Sequence, residues 1–445
     1  MGLRAMLSRA QTFRHGIHPA EHKDTATLPI ERMPFVDEYV LPLSQHTGAP
    51  SRPLVVVGQK VRRGEMIAAP DGYISTALHA PVTGTVAAIE VRPHSRGVPS
   101  PAIIVRIDPF ASQRLEIDAD RPTAETTPKE LIERVQRAGL VGMGGAAFPS
   151  HVKLEVPEGK KARFVILNGC ECEPYLTCDH RLMLERADAV ITGLRILMRQ
   201  VGAERGYIGV ERNKEDAAAA LTAAAVDGGD IDVIRLEVKY PQGAEKMLID
   251  AILHREVPSG KLPIDLEVVV NNVGTAAALA DLAATGKPMI ERVLTVAGNA
   301  VRRPANLMVP LGTLVQQVLD HCGGLRPETR QVILGGPMMG AAQKALDIPV
   351  LKGISGILAF TDPVAQVEEE PCIRCGRCLA ACPVFLNPSR LALLARAQAA
   401  DVLATHHMMD CMECASCSYV CPSNIPLVHL MRLGKAAVRA QKAAR

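Results

Sequence analysis

The chain has no tryptophan among its 445 residues, and aromatic residues make up 3% of it. Few rings are therefore present for base stacking, and a formal net charge of +3 is too small for a nucleic-acid footprint. There is no run of about eighteen or more consecutive apolar residues, so we expect no helix that spans a bilayer. Hydrophobic residues still make up 48% of the chain, enough for cores packed mainly from alanine, valine and leucine.

We also expect no secretory signal at the N-terminus. Arg4 and Arg9 stand there without a sustained apolar segment after them. The length exceeds what one ordinary core supports, so we expect about two to four domains.

Eight of the twelve cysteines form two copies of C-x2-C-x2-C-x3-C-P. This is the spacing of bacterial dicluster ferredoxins, in which three thiolates of each run bind one [4Fe–4S] cluster and the fourth binds the other. The predicted ligand sets are Cys372, Cys375, Cys378 with Cys421, and Cys411, Cys414, Cys417 with Cys382. Zinc is the alternative, since C-x2-C pairs also bind zinc, but two complete runs with trailing prolines favour iron–sulfur clusters. Such thiolates imply a reducing compartment.

The other four cysteines could be taken for a third metal site. Cys170, Cys172 and Cys178 have no standard ligand spacing, and Cys322 lies in a different predicted domain. Cysteine is among the most frequently buried residue types, so we expect these four to be packing residues.

Residues 36–110 are predicted to form short β-strands separated by glycine and proline. The phrases at 57–68 and 80–86 resemble the two halves of a lipoyl/biotinyl-type barrel. The segment that joins them, 70–79, contains no lysine, so it offers no attachment point for a swinging arm. We therefore expect a structural or docking domain.

From about residue 125 the pattern becomes alternating helices and strands. Thr127 and Glu130 form a capping box with Pro128 at the first helical position. Such alternation favours a parallel sheet covered by helices on both faces. A small strand–helix–strand unit is predicted at 290–345, and the tail 427–445 is predicted to be a basic helix that is either solvated or in contact with a partner.

Gly142, Gly144 and Gly145 could be mistaken for a Rossmann fingerprint. That fingerprint needs a strand before the glycines, and here a capped helix precedes them. Backbone without Cβ atoms still lets a flat ring or a phosphate approach closely. Three further loops, at 168–174, 240–246 and 270–275, accompany the glycines, and two of them follow strands, where open α/β sheets bind ligands.

These motifs together resemble the flavin- and NADH-binding subunit of respiratory complex I, and more closely the C subunit of Rnf (Rsx) electron transport complexes. The residues that carry the resemblance are G-x-G-G-x-x-F-P-x-x-x-K at 142–153, N-x-x-E-x-E-P at 168–174, Y-P-Q-G-A-E-K at 240–246, V-N-N-x-x-T at 270–275, H-G-I-H-P at 15–19, G-G-P-M-M-G at 335–340 and C-P-S-N-I-P at 421–426. The likeness extends from about residue 13 to 434.

The resemblance implies a multidomain α/β and α+β protein. Its predicted parts are an N-terminal arm and β barrel-sandwich hybrid (1–120), a complex-I-like α/β domain for FMN and NADH (121–288), a soluble-ligand-binding β-grasp (289–346), a linker (347–370), a dicluster ferredoxin-type domain (371–426) and a basic helical tail (427–445).

The resemblance also implies the cofactor contacts. FMN would lie against Gly142, Gly144, Gly145, Lys153, Asn168, Cys170, Cys172, Tyr240, Gly243, Asn271, Asn272 and Thr275. Phe148 would stack on the nicotinamide side, and Glu173 and Glu245 would accept hydrogen bonds from NADH. The chain departs from the complex I pattern at Met143, Ala147, Cys170 and Ala244, which stand in place of arginine, glycine, aspartate and glutamate.

The implied function is an NADH:ferredoxin-type oxidoreductase subunit, peripheral on the cytoplasmic side of the bacterial cell membrane. Electrons would pass from NADH through FMN and two [4Fe–4S] clusters to integral membrane subunits and a ferredoxin-like cluster subunit, with coupling to Na⁺ or H⁺ movement. One alternative is a soluble cobalamin reductase of the diol-utilisation type. The other is a non-enzymatic electron-transfer and docking module, which the Met143 and Ala244 substitutions favour.

Overall fold

The computed structural model describes residues 11–115, 121, 123, 125–226, 229–362 and 368–444. Arg4 and Arg9 of the predicted N-terminal arm, residues 363–367 of the predicted linker, and Arg445 of the predicted tail lie outside these ranges.

Two small antiparallel sheets form the N-terminal unit, with strand orders β2-β8-β7-β4 and β3-β5-β6. The strands up to this point in the chain are β1 (Ile30–Arg32), β2 (Glu38–Pro42), β3 (Arg52–Pro53), β4 (Lys60–Val61), β5 (Met66–Ala69), β6 (Leu78–His79), β7 (Gly84–Arg92) and β8 (Ser100–Ile107). Alternate side chains of β8 serve two cores: Ile103 and Val105 enter the main core, and Ala102 and Ile104 enter a smaller one. Both faces of β8 are therefore covered.

The lysine-free segment 70–79 is fixed against its neighbours. Gln136 Nε2 donates to the carbonyl oxygens of Gly72 and Ser75, each at 3.1 Å. The fully buried Lys352 Nζ donates to the carbonyl oxygen of Ala77 at 2.7 Å. These hydrogen bonds hold segment 70–79 against its neighbours, as expected for a structural segment and not for a swinging arm.

The α/β unit holds a four-stranded sheet of order β11-β10-β9-β12 in which every neighbouring pair is parallel. Its strands are β9 (Phe164–Asn168), β10 (Arg205–Glu211), β11 (Ile231–Leu236) and β12 (Val268–Asn272). Its helices are α1 (Pro128–Arg137), α2 (Ser150–Leu154), α3 (Cys178–Glu185), α4 (Ala187–Val201), α5 (Glu215–Ala224), α6 (Glu245–Leu253) and α7 (Val273–Thr285). The predicted parallel sheet with helical cover is confirmed.

Local sequence features explain where several helices begin, end or pack closely. The capping box is present, with Glu130 N donating to Thr127 Oγ1 and Thr127 N donating to a Glu130 carboxylate oxygen. Two helices, α3 and α4, follow each other directly, because the backbone breaks at Arg186 (φ −138°), whose guanidinium pairs with Asp281. A Cβ on Gly193 would lie 2.0 Å from the Ala276 carbonyl oxygen, so only glycine lets α4 approach α7 this closely.

The third sheet has six strands in the order β1-β14-β13-β17-β15-β16. The remaining elements are β13 (Glu291–Ala297), β14 (Ala305–Pro310), α8 (Val315–His321), β15 (Gln331–Leu334), β16 (Ala341–Ala342) and β17 (Gly356–Phe360). The sheet is larger than the unit predicted at 289–346. It recruits β1 from the N-terminal arm and β17 from the predicted linker, because β17 is a wholly buried apolar segment that pairs with both β13 and β15.

The cysteine-rich region is helical, with α9 (Arg377–Ala381), α10 (Pro388–Arg396), α11 (Ala400–Thr405), α12 (Ser416–Tyr419) and α13 (Leu427–Ala444). One face of α13, including Leu427, Met431 and Val438, forms the core of this region with residues of α10 and α11. The predicted helical tail is therefore partly a core helix. Among the described residues, we find no helix with the combined length and apolarity that a membrane crossing requires.

Candidate functional site

A cavity of about 360 Å³ opens at the carboxyl ends of β9 and β12. This is the edge at which open parallel sheets bind ligands, and the volume falls in the range of small-molecule pockets. The predicted contact residues that line it are Gly142, Gly144, Phe148, Lys153, Asn168, Cys172, Glu173, Tyr240, Gly243, Glu245, Asn271 and Asn272. We call this space the flavin cavity.

The glycine loop forms one wall and is held from behind. Thr275 Oγ1 accepts a hydrogen bond from Met143 N at 3.0 Å and donates to the Val141 carbonyl oxygen at 3.3 Å. The nearest atom to a Cβ on Gly144 would be 3.9 Å away, which leaves the backbone open to a ligand. Thr275 and Gly145 are not part of the cavity lining, so Thr275 positions the loop from the buried side.

Lys153 and Glu245 meet at the cavity wall. Lys153 Nζ lies 2.7 Å from Glu245 Oε1 and also donates to the Val270 carbonyl oxygen at 3.1 Å. Both side chains are about one-third exposed. Lys153, the predicted FMN contact, and Glu245, the predicted NADH contact, therefore form one ion pair, and their charges neutralise each other in this structure.

Asn168 ties two of the predicted loops together. Its Nδ2 donates to the Gly243 carbonyl oxygen at 2.7 Å, and its Oδ1 accepts from Cys170 N at 3.1 Å. Gly243 N in turn donates to Cys172 Sγ at 3.3 Å. The Cys170 side chain, however, packs in the core with Ile166 and is not part of the cavity lining, so the structure does not bring this predicted FMN contact to the site.

The paired asparagines differ in how they are satisfied. Asn272 Nδ2 donates to Asp179 Oδ2 at 2.7 Å, and Asn272 Oδ1 accepts from Gly274 N at 2.7 Å. Asn271 Nδ2 is buried at the cavity and has no hydrogen-bond partner in the described part of the chain. Buried donors are almost always paired in native proteins. This orphaned donor, together with the open glycine backbone, fits a bound group with hydrogen-bond acceptors such as FMN.

Glu173 connects the cavity to the six-stranded sheet. Its carboxylate accepts hydrogen bonds from Met338 N at 3.0 Å and Met339 N at 2.9 Å. A Cβ on Gly336 would lie 2.2 Å from Glu173 Oε2, which explains the glycine in this loop. Burial raises the pKa of Glu173 to about 7. Its contact with NADH stays a prediction, and the loop contact was not expected.

Two acidic residues of the cavity were missed. Glu171 accepts hydrogen bonds from Asp179 N at 2.8 Å and His180 N at 3.0 Å. Burial and, second, the Glu171 charge raise the pKa of Asp179 to about 7. Glu171 stands inside the quoted motif at 168–174 and could have been found there, whereas Asp179 reaches the cavity only because α3 begins beside it. Cys170 and Cys322 pack in hydrophobic cores, whereas Cys172 and Cys178 line the flavin cavity. The ligand atoms of Glu171, Cys178 and Asp179 lie within 4.8 Å of one another, so the assignment of all four cysteines to packing stays a prediction.

The second run of cysteines converges with one residue of the first. Cys382, Cys411, Cys414 and Cys417 line one small cavity, which we call the inner ligand set. We call Cys372, Cys375, Cys378 and Cys421 the outer ligand set. Its ends are brought together because Ser423 Oγ donates to the Pro371 carbonyl oxygen at 3.0 Å. A set of thiols alone is the donor chemistry that an iron–sulfur cluster needs.

The inner ligand set and the flavin cavity share residues. Cys414 and Met412 line both spaces. The Tyr240 hydroxyl donates to the Cys414 carbonyl oxygen at 2.8 Å, and its burial raises the Tyr240 pKa. By contrast, Cys372 and Cys375 of the outer set are exposed.

Four family models match the chain. They are the RnfC barrel sandwich hybrid domain (11–109), the Nuo51 FMN-binding domain (135–281), the SLBB domain (293–342) and the 4Fe-4S dicluster domain (368–425). A solved structure, NAD⁺-reducing [NiFe]-hydrogenase in the air-oxidized state, shares the fold with a TM-score of 0.52 at 19% identity, over 73% of this chain and 67% of that one. The chain is thus a flavin and iron–sulfur electron-transfer protein, with FMN and two [4Fe–4S] clusters as cofactors.

Curated relatives narrow the class. The C subunit of the proton-translocating ferredoxin:NAD(+) oxidoreductase complex of Clostridium ljungdahlii is 46% identical over 386 residues, 86% of this chain and 84% of the relative. The C subunit of the Na(+)-translocating complex of Acetobacterium woodii is 43% identical over 97% of this chain and 98% of the relative. The C subunit of the ion-translocating oxidoreductase complex of Pseudomonas aeruginosa is 41% identical over 95% of this chain and 55% of the relative. The chain belongs to the RnfC family, the C subunits of Rnf complexes, as its motifs predicted.

Proposed function

We propose that this chain is the NADH-side subunit of an ion-translocating ferredoxin:NAD⁺ oxidoreductase complex. The observation that supports the proposal most directly is the shared wall at Cys414 and Met412, because it puts a ligand-sized cavity next to a cluster ligand set. The names of the relatives above supply the NAD⁺, the ferredoxin and the ion movement.

FMN, when bound, accepts a hydride from NADH and releases electrons singly, which suits clusters that carry one electron at a time. The chain's own residues hold and orient it. Lys153 offers its ammonium group, Asn271 its free amide, and Gly142 and Gly144 a surface without side chains. Asp179 can hold a proton on its carboxyl near neutral pH, since its pKa is raised to about 7 by burial and by Glu171.

The positions of the two ligand sets support an order of electron transfer. Cys414 lines the flavin cavity, so a cluster held by the inner ligand set would receive electrons first, and one held by the outer set, in which Cys372 and Cys375 are exposed, would pass them on. We propose that integral membrane subunits and a ferredoxin-like cluster subunit receive them, with this chain peripheral on the cytoplasmic side of the cell membrane. Na⁺ or H⁺ would move through those other subunits.

Anaerobic purification followed by NADH titration tests the proposal. We expect about eight irons, with matching sulfide, and one FMN per chain. NADH should bleach the flavin absorbance and then produce the electron paramagnetic resonance (EPR) signals of reduced [4Fe–4S] clusters.

The alternatives predict other outcomes. A docking module would lack flavin absorbance or would not respond to NADH. A soluble cobalamin reductase would reduce cobalamin and would not co-purify with integral membrane proteins; membership of the RnfC family favours the complex over this alternative.

A further inference from the structure

Three residues from outside the ligand runs donate hydrogen bonds to the backbone of the inner ligand set. His15 Nδ1 lies 3.0 Å from the Cys382 carbonyl oxygen. The Tyr240 hydroxyl lies 2.8 Å from that of Cys414, and Lys435 Nζ lies 2.9 Å from that of Cys411. A carbonyl can only accept, so each of these three side chains is the donor.

Two of the donors belong to one backbone unit. Ile17 N donates to the Tyr240 carbonyl oxygen, and Tyr240 N donates to that of Ile17, both at 2.9 Å. This pairing fixes the arm that carries His15 beside the loop that carries Tyr240. The His15 ring also packs on Phe385, with ring centroids 4.5 Å apart. Both donors are therefore held in place by contacts other than the hydrogen bonds that they make.

In the part of the chain that the structure describes, the carbonyl oxygens of the outer ligand set lack such side-chain donors. Within the described ranges, no side chain donates to the carbonyl oxygen of Cys372, Cys375, Cys378 or Cys421; the Cys421 carbonyl accepts only the local Asn424 N, at 3.2 Å. The two ligand sets thus differ in the hydrogen bonds to their carbonyl oxygens: three of four ligands in the inner set receive a side-chain donor and none in the outer set receives one from the described residues, although the Cys378 thiol itself accepts hydrogen bonds from Ser389.

This asymmetry has an electrostatic consequence. Reduction adds a negative charge to a cluster, and burial away from water disfavours that charge. Each donor places the positive end of its N–H or O–H dipole beside the backbone of a ligand, which stabilises the negative charge of the reduced cluster. Lys435 also neutralises the Glu413 carboxylate, whose Oε1 lies 2.7 Å from Lys435 Nζ, so its removal leaves that negative charge beside the cluster. We propose that His15, Tyr240 and Lys435 are positioning residues that raise the reduction potential of the inner cluster against the effect of its burial. The proposal rests on the dicluster function described above.

Redox titration of the holoprotein, followed by EPR, tests it. His15→Phe keeps an aromatic ring on Phe385, Tyr240→Phe removes one oxygen atom, and Lys435→Met keeps the apolar stem. Each should lower the potential of the same single cluster. A tenfold change in its reduction equilibrium, about 59 mV for a one-electron couple, is the scale expected, with Lys435→Met the largest because a charge is also lost.

His18→Phe is the matched control, because His18 Nδ1 makes the same kind of bond, at 3.0 Å, to the carbonyl oxygen of Val238, which is not a ligand. It should leave both potentials unchanged. The Tyr240→Phe shift should persist in a Cys378→Ala background, which keeps the inner ligand set complete.

Unmoved potentials in the Tyr240→Phe and Lys435→Met variants would overturn the proposal, even if His15→Phe did not fold. So would equal shifts of both clusters, or a His18→Phe shift as large as that of His15→Phe. A wild-type protein without about eight irons would instead contradict the proposed function itself, so the two failures are distinguishable.

Discussion

The inner and outer ligand sets are drawn from two runs with the same sequence spacing, but the inner set includes two buried cysteines and the outer set two exposed ones. The inner set is enclosed between the flavin cavity, the N-terminal arm and α13. The outer set begins at Cys372 and Cys375, which are exposed beside the exposed residues Ile373, Arg374 and Arg377. The cysteine motif therefore specifies which residues bind the clusters, whereas the residues packed around each ligand set determine the properties of its cluster.

The difference in surroundings leads to different sensitivities. Interactions on the buried side are weakly screened and involve groups with raised pKa values, so they should respond to pH and little to salt. Interactions on the exposed side are screened within about 8 Å at physiological ionic strength, so they should respond to salt. The predictions below test this contrast from the largest expected effect to the smallest.

Removing one ligand from each set gives the sharpest contrast. Cys414→Ala and Cys375→Ala should each lose about four irons, because one cluster of two is lost. Cys414→Ala should also stop NADH from reducing the remaining cluster, because the cluster of the inner ligand set, which lies next to the flavin cavity, is missing. Cys375→Ala should let NADH reduce the remaining cluster and should block transfer to the partner. Iron analysis and EPR after NADH addition check both. If NADH reduced the remaining cluster in Cys414→Ala, the order of the two sets would be wrong.

Glu173 tests the pH response of the buried side. Its pKa in the folded protein is about 7, above its ordinary value of 4.5. Between pH 4.5 and 7 the folded protein therefore binds more protons than the unfolded chain, and the free energy of unfolding falls as pH rises through this window. Glu173→Gln cannot ionise. Relative to wild type, its free energy of unfolding should increase by up to roughly 3 kcal/mol from pH 4 to pH 8.

The measurement for Glu173 is the thermal midpoint of both proteins across that range at two salt concentrations. Glu133→Gln, at an exposed position of α1, is the control and should track wild type. A relative stability of Glu173→Gln that does not change with pH, or that depends on salt rather than pH, would contradict the assignment.

Arg374 and Arg377 test the salt response of the exposed side. If an acidic electron-accepting partner docks at the outer set, Arg374→Glu with Arg377→Glu should slow association about tenfold at low ionic strength, and less at high ionic strength. Stopped-flow reduction of the partner protein measures this. Arg439→Glu with Lys442→Glu, both exposed on α13, is the control for net charge. Equal slowing in the control, or slowing independent of salt, would exclude this docking surface.

The sequence was sufficient for the features that local patterns encode. The capping box at Thr127, the parallel α/β unit and the fold of the cysteine-rich region all follow from residue types at fixed spacing. The sequence was not sufficient for long-range pairing. Nothing around Ile30 or Gly356 indicates that these segments join one sheet, because their partners lie far away in the chain.

The site shows the same limit. The motifs predicted most of the residues that line the flavin cavity, but they gave no means of telling that Cys170 and Thr275 face away from it. They also did not predict that Tyr240 would contact Cys414, since such contacts depend on how two parts of the chain that are distant in sequence meet.

The smallest effect is expected at Ala147, on the buried side, where complex I has glycine. Ala147 has φ +48°, a left-handed conformation that costs a residue with a Cβ about 1–2 kcal/mol. Ala147→Gly relieves this strain but removes a buried methyl group worth about 0.8 kcal/mol and makes the unfolded chain more flexible. These contributions nearly cancel, so the net change in the free energy of unfolding should lie within about 1 kcal/mol of zero, independent of salt. Ala146→Gly, at an exposed neighbour without positive φ, should instead destabilise by up to about 1 kcal/mol. If Ala147→Gly destabilised more than Ala146→Gly, the left-handed backbone would not be strained as argued, and the glycine loop would owe its conformation to packing of the methyl group.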